Sequence, residues 1–404
     1  MRFPAALRAL NHRDYRRFWL GQTVSLVGTW MQAVGQSWLV LELTNSAFKL
    51  GVVAALQWTP MLFLSFPAGA LVDRLPKRRL IITTQTALLL QALILAALVR
   101  GGHVQYWHVA VLAVALGSVN AFDVPARQSF IVEMVGVEDL MNGIALNSAM
   151  FNAARLVGPA VAGLVVARYG IALAFFLNGL SFLAVIASLL TLQAEGAPRG
   201  RRGTPLLQDI TEGIRYAVST PRVSLVLSLV MIVSVFIINY NVTVPLLARD
   251  VLRQGAHGFG LLMAAIGAGA LVGAMALAAL GSGRPPLVLL VVPAVAISAA
   301  TLSLAVVRQF WVAAAVLLAV GFCHTLFLSS CNTTLQVAAP GELRGRVMSL
   351  YAFVFAGVAP IGSFFVGSVA QAFGVPAAYA ASGVLGLLGV AALTLRWRLR
   401  HRPR

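Results

Sequence analysis

Residues 18–41 read FWLGQTVSLVGTWMQAVGQSWLVL, twenty-four consecutive positions without a charged side chain. At 1.5 Å per residue a helix of that length extends about 36 Å, enough to cross the roughly 30 Å hydrocarbon core of a bilayer. Within it Gln22, Ser25, Thr29, Gln32 and Gln36 recur at intervals of three and four, which puts all five on one helical face. Polar groups facing lipid are costly, so the stretch predicts a membrane helix whose polar face turns into a bundle. That face fits two uses: hydrogen bonding between packed helices, or lining an aqueous cavity.

The same division by charge continues along the chain. Runs 50–72, 80–99, 101–122, 169–194, 223–248, 254–283, 285–307 and 309–341 are charge-free, and each holds one span. The 49-residue run 347–395 holds two, separated at Gly374-Val375-Pro376, where glycine and proline end one helix and start another. The stretch 141–165, interrupted only by Arg155, completes twelve. The 404 residues are 59% hydrophobic and 10% charged, which excludes a water-soluble enzyme. A net charge of +18 would point to nucleic acid in a soluble protein. Here the basic residues sit in short clusters between apolar runs, where they set topology and meet anionic lipid headgroups, and no nucleic-acid partner is expected.

Twelve spans place both termini on one side of the membrane. That side carries 23 Lys and Arg against six on the other, so both termini are expected in the cytoplasm. The polar start, Met1 to Asp14, lacks a short apolar core with a small-residue cleavage site, and no removable signal peptide is expected. Cys323 and Cys331 lie eight residues apart in one run, about 12 Å along a helix, which suits packing rather than a disulfide; no metal ligand set and no cofactor are expected.

The longest polar connection, 193–222, divides a bundle at 1–192 from a second bundle with a basic tail at 223–404. Within it Leu206, Leu207, Ile210, Ile214 and Val218 recur at helical spacing, predicting a short amphipathic helix on the cytoplasmic surface. Leu140, Gly158-Pro159 and Gly170 have counterparts in Leu343, Ala359-Pro360 and Gly374 at offsets of 203, 201 and 204 residues. The common offset, close to half the chain, indicates two parallel copies of one six-span unit.

Between the second and third runs stands Gly69-Ala-Leu-Val-Asp73-Arg74-Leu-Pro-Lys77-Arg78-Arg79. This resembles the Gly-x-x-x-Asp-Arg-x-Gly-Arg-Arg signature of the major facilitator superfamily, departing from it at Pro76 and Lys77. The resemblance implies an all-α, polytopic carrier of twelve transmembrane helices in two six-helix bundles, which works by alternating access. It also implies that Gly69, Asp73, Arg74, Lys77 and Arg78 form a cytoplasmic gate, with Asp73 facing the helix N-terminus near Gly345 to Ser349. Gly158-Pro159 with Gly163 resembles the motif of antiporting members, which implies export. Asn11-x-x-Asp14-Tyr15-x-x-Phe18-Trp19 and Asn120-Ala-Phe-Asp123-Val-Pro125-Ala-Arg127-Gln128 resemble the bacterial branch that contains enterobactin exporters and macrolide-efflux-like carriers. A monomer in the inner membrane, moving an amphipathic small molecule against protons, is the implied whole.

Arg155 stands two residues past the middle of 141–165 and shares a helical face with Ser148 and Asn152. A charge at that depth calls for a partner, either a structural one or an electron-rich part of a substrate. The expected substrate cavity therefore comprises the stripe on the first span, Asn152, Arg155 and Asn239, with Tyr240, Asn241, Thr243 and Gln57 as further polar positions. For proton coupling the candidates are His324, two residues past the middle of 311–333, and Glu42 and Asp123 near the ends of spans one and four. His324 fits either a neutral histidine packed against Thr325 or Ser329, or a proton carrier. No HExxH, GxSxG or P-loop occurs and no catalytic residue is assigned. A lipid or siderophore importer of the same fold and an intramembrane enzyme are the alternatives.

The charge asymmetry generates a direct test. A cysteine introduced at Gly200 is expected to resist impermeant thiol reagents in intact cells and to react after permeabilisation; rapid labelling in intact cells would reverse the orientation.

Overall fold

The computed structural model describes residues 4–195, 206–279 and 285–400, except the side chains at 5, 6, 65–67, 69, 70, 73, 206–210, 341, 342 and 400. All regular structure among them is helical. The first half forms α1 (Arg13–Thr44), α2 (Ala47–Arg74), α3 (Lys77–Arg100), α4 (Tyr106–Val135), α5 (Leu140–Tyr169) and α6 (Ile171–Leu190). The linker helix is α7 (Leu206–Ser219). The second half forms α8 (Pro221–Phe236), α9 (Tyr240–Leu246), α10 (Ala256–Ala279), α11 (Val288–Ser303), α12 (Phe310–Ala338), α13 (Gly341–Ala352), α14 (Ala359–Phe373) and α15 (Val375–Arg400).

Ten helical segments among the described residues are long and apolar enough to span a membrane, and α11 is a shorter apolar helix. With α1, which has the length but carries the glutamine stripe, they make twelve. Two of the twelve are interrupted, contrary to the unbroken runs of the sequence. The seventh stops at Phe236 and resumes at Tyr240, with Asn239 at the break; its amide donates to the Val235 carbonyl (2.8 Å) and its Oδ1 accepts from Ser363 (3.3 Å). The eleventh passes through a π-turn at Phe353–Gly357 before Pro360 restarts the helix in α14. Side chain–backbone competition by asparagine and the missing N–H of proline explain the two sites.

The internal repeat is visible in the backbone. α5 ends at Gly170 with φ 85°, ψ 166°, and α14 ends at Gly374 with φ 86°, ψ 164°. That region of conformational space is essentially restricted to glycine, so both sharp junctions depend on the absence of a side chain.

The chain divides into two compact units. One comprises Met1–Asn45, Leu56–Arg201 and Gly255–Ala264; the other comprises Ser46–Ala55, Arg202–Gln254 and Ala265–Arg404. In the first, Phe18 meets Phe130 edge-on at 6.2 Å within a core that includes Tyr15, Ile81, Val185 and Leu189. The start of α10 packs directly on α5: a Cβ on Gly260 would fall 2.4 Å from the Pro159 carbonyl oxygen, and one on Gly163 3.0 Å from that of His257. Gly158 gives α5 an equally close approach to α1, where a Cβ would meet that of Trp30 at 2.5 Å. In the second unit the start of α2 packs on α14 in the same manner, a Cβ on Gly51 falling 2.5 Å from the Ser363 carbonyl oxygen. Its partner Gly367 lies 204 residues after Gly163, the offset that also relates Gly374 to Gly170.

α7 belongs to the second unit and docks on α13 through Gly213, which abuts the Arg346 Cβ, and through an ion pair between Glu212 and Arg346. Tyr216 adds a hydrogen bond from its hydroxyl to the Ala338 carbonyl (2.8 Å). Of the apolar stripe read from the sequence, Ile214 and Val218 are exposed, while Leu206, Leu207 and Ile210 lie outside the described side chains. The face turned to the protein is the one with the small residues Gly213 and Ala217.

Overpacking a backbone contact of this kind costs about 1–3 kcal/mol. Gly260→Ala is therefore expected to lower the thermal midpoint of the detergent-purified protein, and Gly255→Ala, where no atom lies within 4 Å, to leave it unchanged.

Candidate functional site

Ser25, Thr29, Gln32 and Gln36 of α1 line a cavity of about 90 Å3 inside the first unit. They also answer the question that the stripe left open, because the glutamines serve both uses. Gln32 Nε2 donates to Gln91 Oε1 on α3 (2.9 Å), and its Oε1 accepts from Asn178 Nδ2 on α6 (2.5 Å). Gln36 Nε2 donates to Gln57 Oε1 on α2 (2.8 Å). The wall is thus held by side-chain amides from four helices, each with donors and acceptors left for a guest. Gln22, the remaining member of the stripe, is buried but not part of the wall.

The charge at this cavity comes from α4. Asp123 is fully buried, and its Oδ1 accepts hydrogen bonds from the Thr84 hydroxyl (2.6 Å) and Gln85 Nε2 (3.0 Å). Its Oδ2 lies 2.7 Å from Nε of Arg127, one helical turn later. The sequence places Asp123 at the end of a span because the charge-free run stops there. The helix instead runs from Tyr106 to Val135, so Asp123 falls about 4 Å from its middle. Burial is tolerated because the carboxylate is both paired and hydrogen-bonded.

The other expected cavity residues do not reach this wall. Asn152 returns its amide to the Ser148 carbonyl one turn earlier (2.9 Å), and the Arg155 guanidinium lies 5.8 Å from the centre of the Trp30 ring, a cation–π distance. Asn239 sits at the helix break in the second unit. Of the coupling candidates, Glu42 is exposed and accepts from the Trp38 indole (2.7 Å). His324 is buried at the centre of α12 against Tyr240, ring centroids 5.6 Å apart. Gln85, Asn178 and Arg127 are wall residues that the sequence alone did not assign to the cavity, and Gln91 braces the wall through Gln32; no spacing links any of them to α1.

The gate motif divides. Gly69 and Asp73 fall in the last turns of α2, outside the described side chains, and Arg74 is exposed. Lys77 is completely buried and bridges to Glu133 near the end of α4 (2.8 Å). Arg78 donates from Nε to the Leu189 carbonyl (2.7 Å) and from Nη2 to that of Leu190 (2.9 Å), capping the end of α6. Both therefore tie α3 to neighbouring helices of the same unit. The departure of Lys77 from the family arginine has a physical basis: a compact ammonium is satisfied by fewer acceptors than a five-donor guanidinium and fits a closed pocket. No group of three or more His, Cys, Asp or Glu side chains converges among the described residues.

A family model described as transmembrane secretion effector matches residues 5–403. The chain belongs to this family of major facilitator superfamily transporters. Among its curated relatives, the multidrug efflux pump Tap of Mycolicibacterium fortuitum is 28% identical over 93% of both chains. The enterobactin exporter EntS of Escherichia coli is 26% identical over 97% of this chain and 94% of its own, and the staphyloferrin A transporter of Staphylococcus aureus is 23% identical over 91% and 92%. The fold matches an inward-facing bacterial homologue of the lysosomal transporter Spinster, with TM-score 0.73, 14% identity and 96% of both chains covered. It also matches a POT family transporter, with TM-score 0.75, 11% identity and coverage of 95% and 96%. The transporter is a multi-pass membrane protein.

Removing one partner from a buried ion pair strands the other at a cost of about 3 kcal/mol. Lys77→Met is expected to lower the thermal midpoint, and adding Glu133→Leu to restore most of it, as followed by unfolding of the purified transporter.

Proposed function

We propose that this transporter exports amphipathic small molecules across the bacterial inner membrane by alternating access, driven by protons. The observation that carries the reading is the amide-lined cavity with its buried Asp123 paired to Arg127, set within a bundle of membrane helices. A carrier of this kind needs polar groups that bind a guest within the membrane and a group that changes charge as it cycles. The amides of Gln32, Gln36, Gln57 and Asn178 supply the first, and Asp123 supplies the second. The functions for which the relatives are named, multidrug efflux and siderophore export or transport, support a small organic cargo moving outward.

In this reading the transporter acts as a monomer with both termini in the cytoplasm and takes no cofactor. Its halves 1–192 and 223–404 are the moving parts, joined by 193–222. Asp73 and Arg74 form a cytoplasmic latch, in which the charge of Asp73 against a helix N-terminus contributes about 0.3–2 kcal/mol, enough to bias a balanced two-state carrier. Gly158, Pro159 and Gly163 set the close helix approaches on which rocking depends. Arg155, Asn152 and Asn239 extend the binding path beyond the wall of the cavity, while His324 and Glu42 are secondary sites of proton exchange.

The test is accumulation of ethidium by inverted membrane vesicles containing the transporter. Uptake is expected to require an acidic interior and to collapse on addition of a protonophore. Uptake that is indifferent to the gradient, or equal to that of vesicles without the transporter, would overturn proton-driven export.

A further inference from the structure

We infer that Asp123 and Arg127 form a charge switch that makes the exported cargo a cation and excludes anions; the inference rests on the proton-driven export reading above. Asp123 and Arg127 are the charged residues of the cavity wall. The groups facing them from the neighbouring helices are neutral: Thr84 and Gln85 from α3, Gln32 and Gln36 from α1, Gln57 from α2 and Asn178 from α6. Lys77 and Glu133, nearer the end of α4, pair with each other. The wall therefore carries no net charge while Asp123 is ionised and one positive charge once it takes a proton.

The hydrogen bonding fits both states. The Thr84 hydroxyl has a single proton and two acceptors in reach, Asp123 Oδ1 at 2.6 Å and the Ile81 carbonyl at 2.9 Å. When Asp123 is ionised the hydroxyl donates to it; when Asp123 is protonated the hydroxyl can donate to Ile81 and accept from the acid. Gln85 has the same property. Its Nε2 donates to Asp123, while its Oε1 is buried with no hydrogen-bond partner among the described residues, and half a turn of the amide presents that acceptor to a protonated carboxyl. The Gln85 amide thus has a partner for Asp123 in either state, as a carboxyl that alternates between donor and acceptor requires.

Linkage then fixes the sign of the cargo. A cation in the cavity favours ionised Asp123, so it weakens proton binding, and by reciprocity the proton weakens cation binding by the same factor. The two exclude each other, which is the requirement for exchanging an inward proton for an outward cargo. An anion favours the protonated wall, binds together with the proton, and would be carried inward by the same gradient. The amide wall accepts a neutral guest equally in both states and leaves it uncoupled.

Tetraphenylphosphonium and tetraphenylborate, ions of nearly equal size and opposite charge, separate these cases when their binding to the purified transporter is measured between pH 8 and pH 5.5. Tetraphenylphosphonium affinity is expected to fall as the pH is lowered, by at most tenfold per pH unit for one coupled proton, with protons released on binding in weakly buffered solution. Tetraphenylborate affinity is expected not to fall. Asp123→Asn is expected to make tetraphenylphosphonium binding independent of pH. The inference is overturned if the wild-type transporter releases no protons on binding the cation, if the anion releases them instead, or if the pH dependence survives in Asp123→Asn with its thermal midpoint intact. Proton release needs no variant, so it decides the matter even where Asp123→Asn fails to fold. Cation-linked proton release without gradient-driven ethidium uptake would uphold the switch and reject driven export; driven uptake without such release would do the reverse.

Discussion

Everything in this transporter follows from the exclusion of unsatisfied polar groups from hydrocarbon. The rule confines regular structure to helices, since each closes its own backbone hydrogen bonds, and it gives mid-span polar side chains a partner on another helix, as for the glutamines of α1, or in their own preceding turn, as for Asn152. Gln32, Gln36, Gln57, Gln91 and Asn178 are consequently knotted into amide pairs. Where the knots leave room, the same amides form a polar chamber. Packing and binding are here two uses of one set of groups, because amides that satisfy each other at 2.5–2.9 Å retain further donors and acceptors.

Close backbone contact is the second consequence. Helices surrounded by lipid gain little from burying further apolar surface against each other, so association relies on fit. Gly51 against Gly367 and Gly163 against Gly260 supply that fit at matching places in the two units, and Gly158 brings α5 onto α1. Glu212 and Arg346 add a polar tie where α7 docks on α13.

The sequence is most informative where one physical variable dominates. Charge-free runs mark the spans and Gly374 marks the α14–α15 junction, because each is a local property, and offsets near 202 residues mark the duplication because the same local signals recur. The departures arise where distant residues decide. Asn239 interrupts the seventh span through bonds to Val235 and to Ser363, the second 124 positions away. Asp123 ends a charge-free run yet lies mid-helix, because Arg127, Thr84 and Gln85 neutralise and solvate it there. The five polar positions of α1 are legible as a stripe, whereas Gln85, Gln91 and Asn178 carry no signal beyond their own polarity; only the packed bundle shows that Gln85 and Asn178 share a chamber with α1 and that Gln91 braces it through Gln32. α7 is legible as a helix, but its docking face follows from the small side chains of Gly213 and Ala217 rather than from its larger apolar ones.

The burial of Lys77 has a practical corollary. The chain holds two lysines, Lys49 and Lys77, among its 30 basic residues. Lys77 is sealed from solvent by its own bridge to Glu133, while Lys49 is exposed at the start of α2. Acylating reagents attack neutral amines that they can reach, and a buried ammonium locked to a carboxylate offers neither condition. Apart from the chain's amino terminus, the folded transporter thus presents a single amine, at Lys49. A fluorophore coupled there would occupy one defined position beside the contact of Gly51 with α14, without any engineered residue.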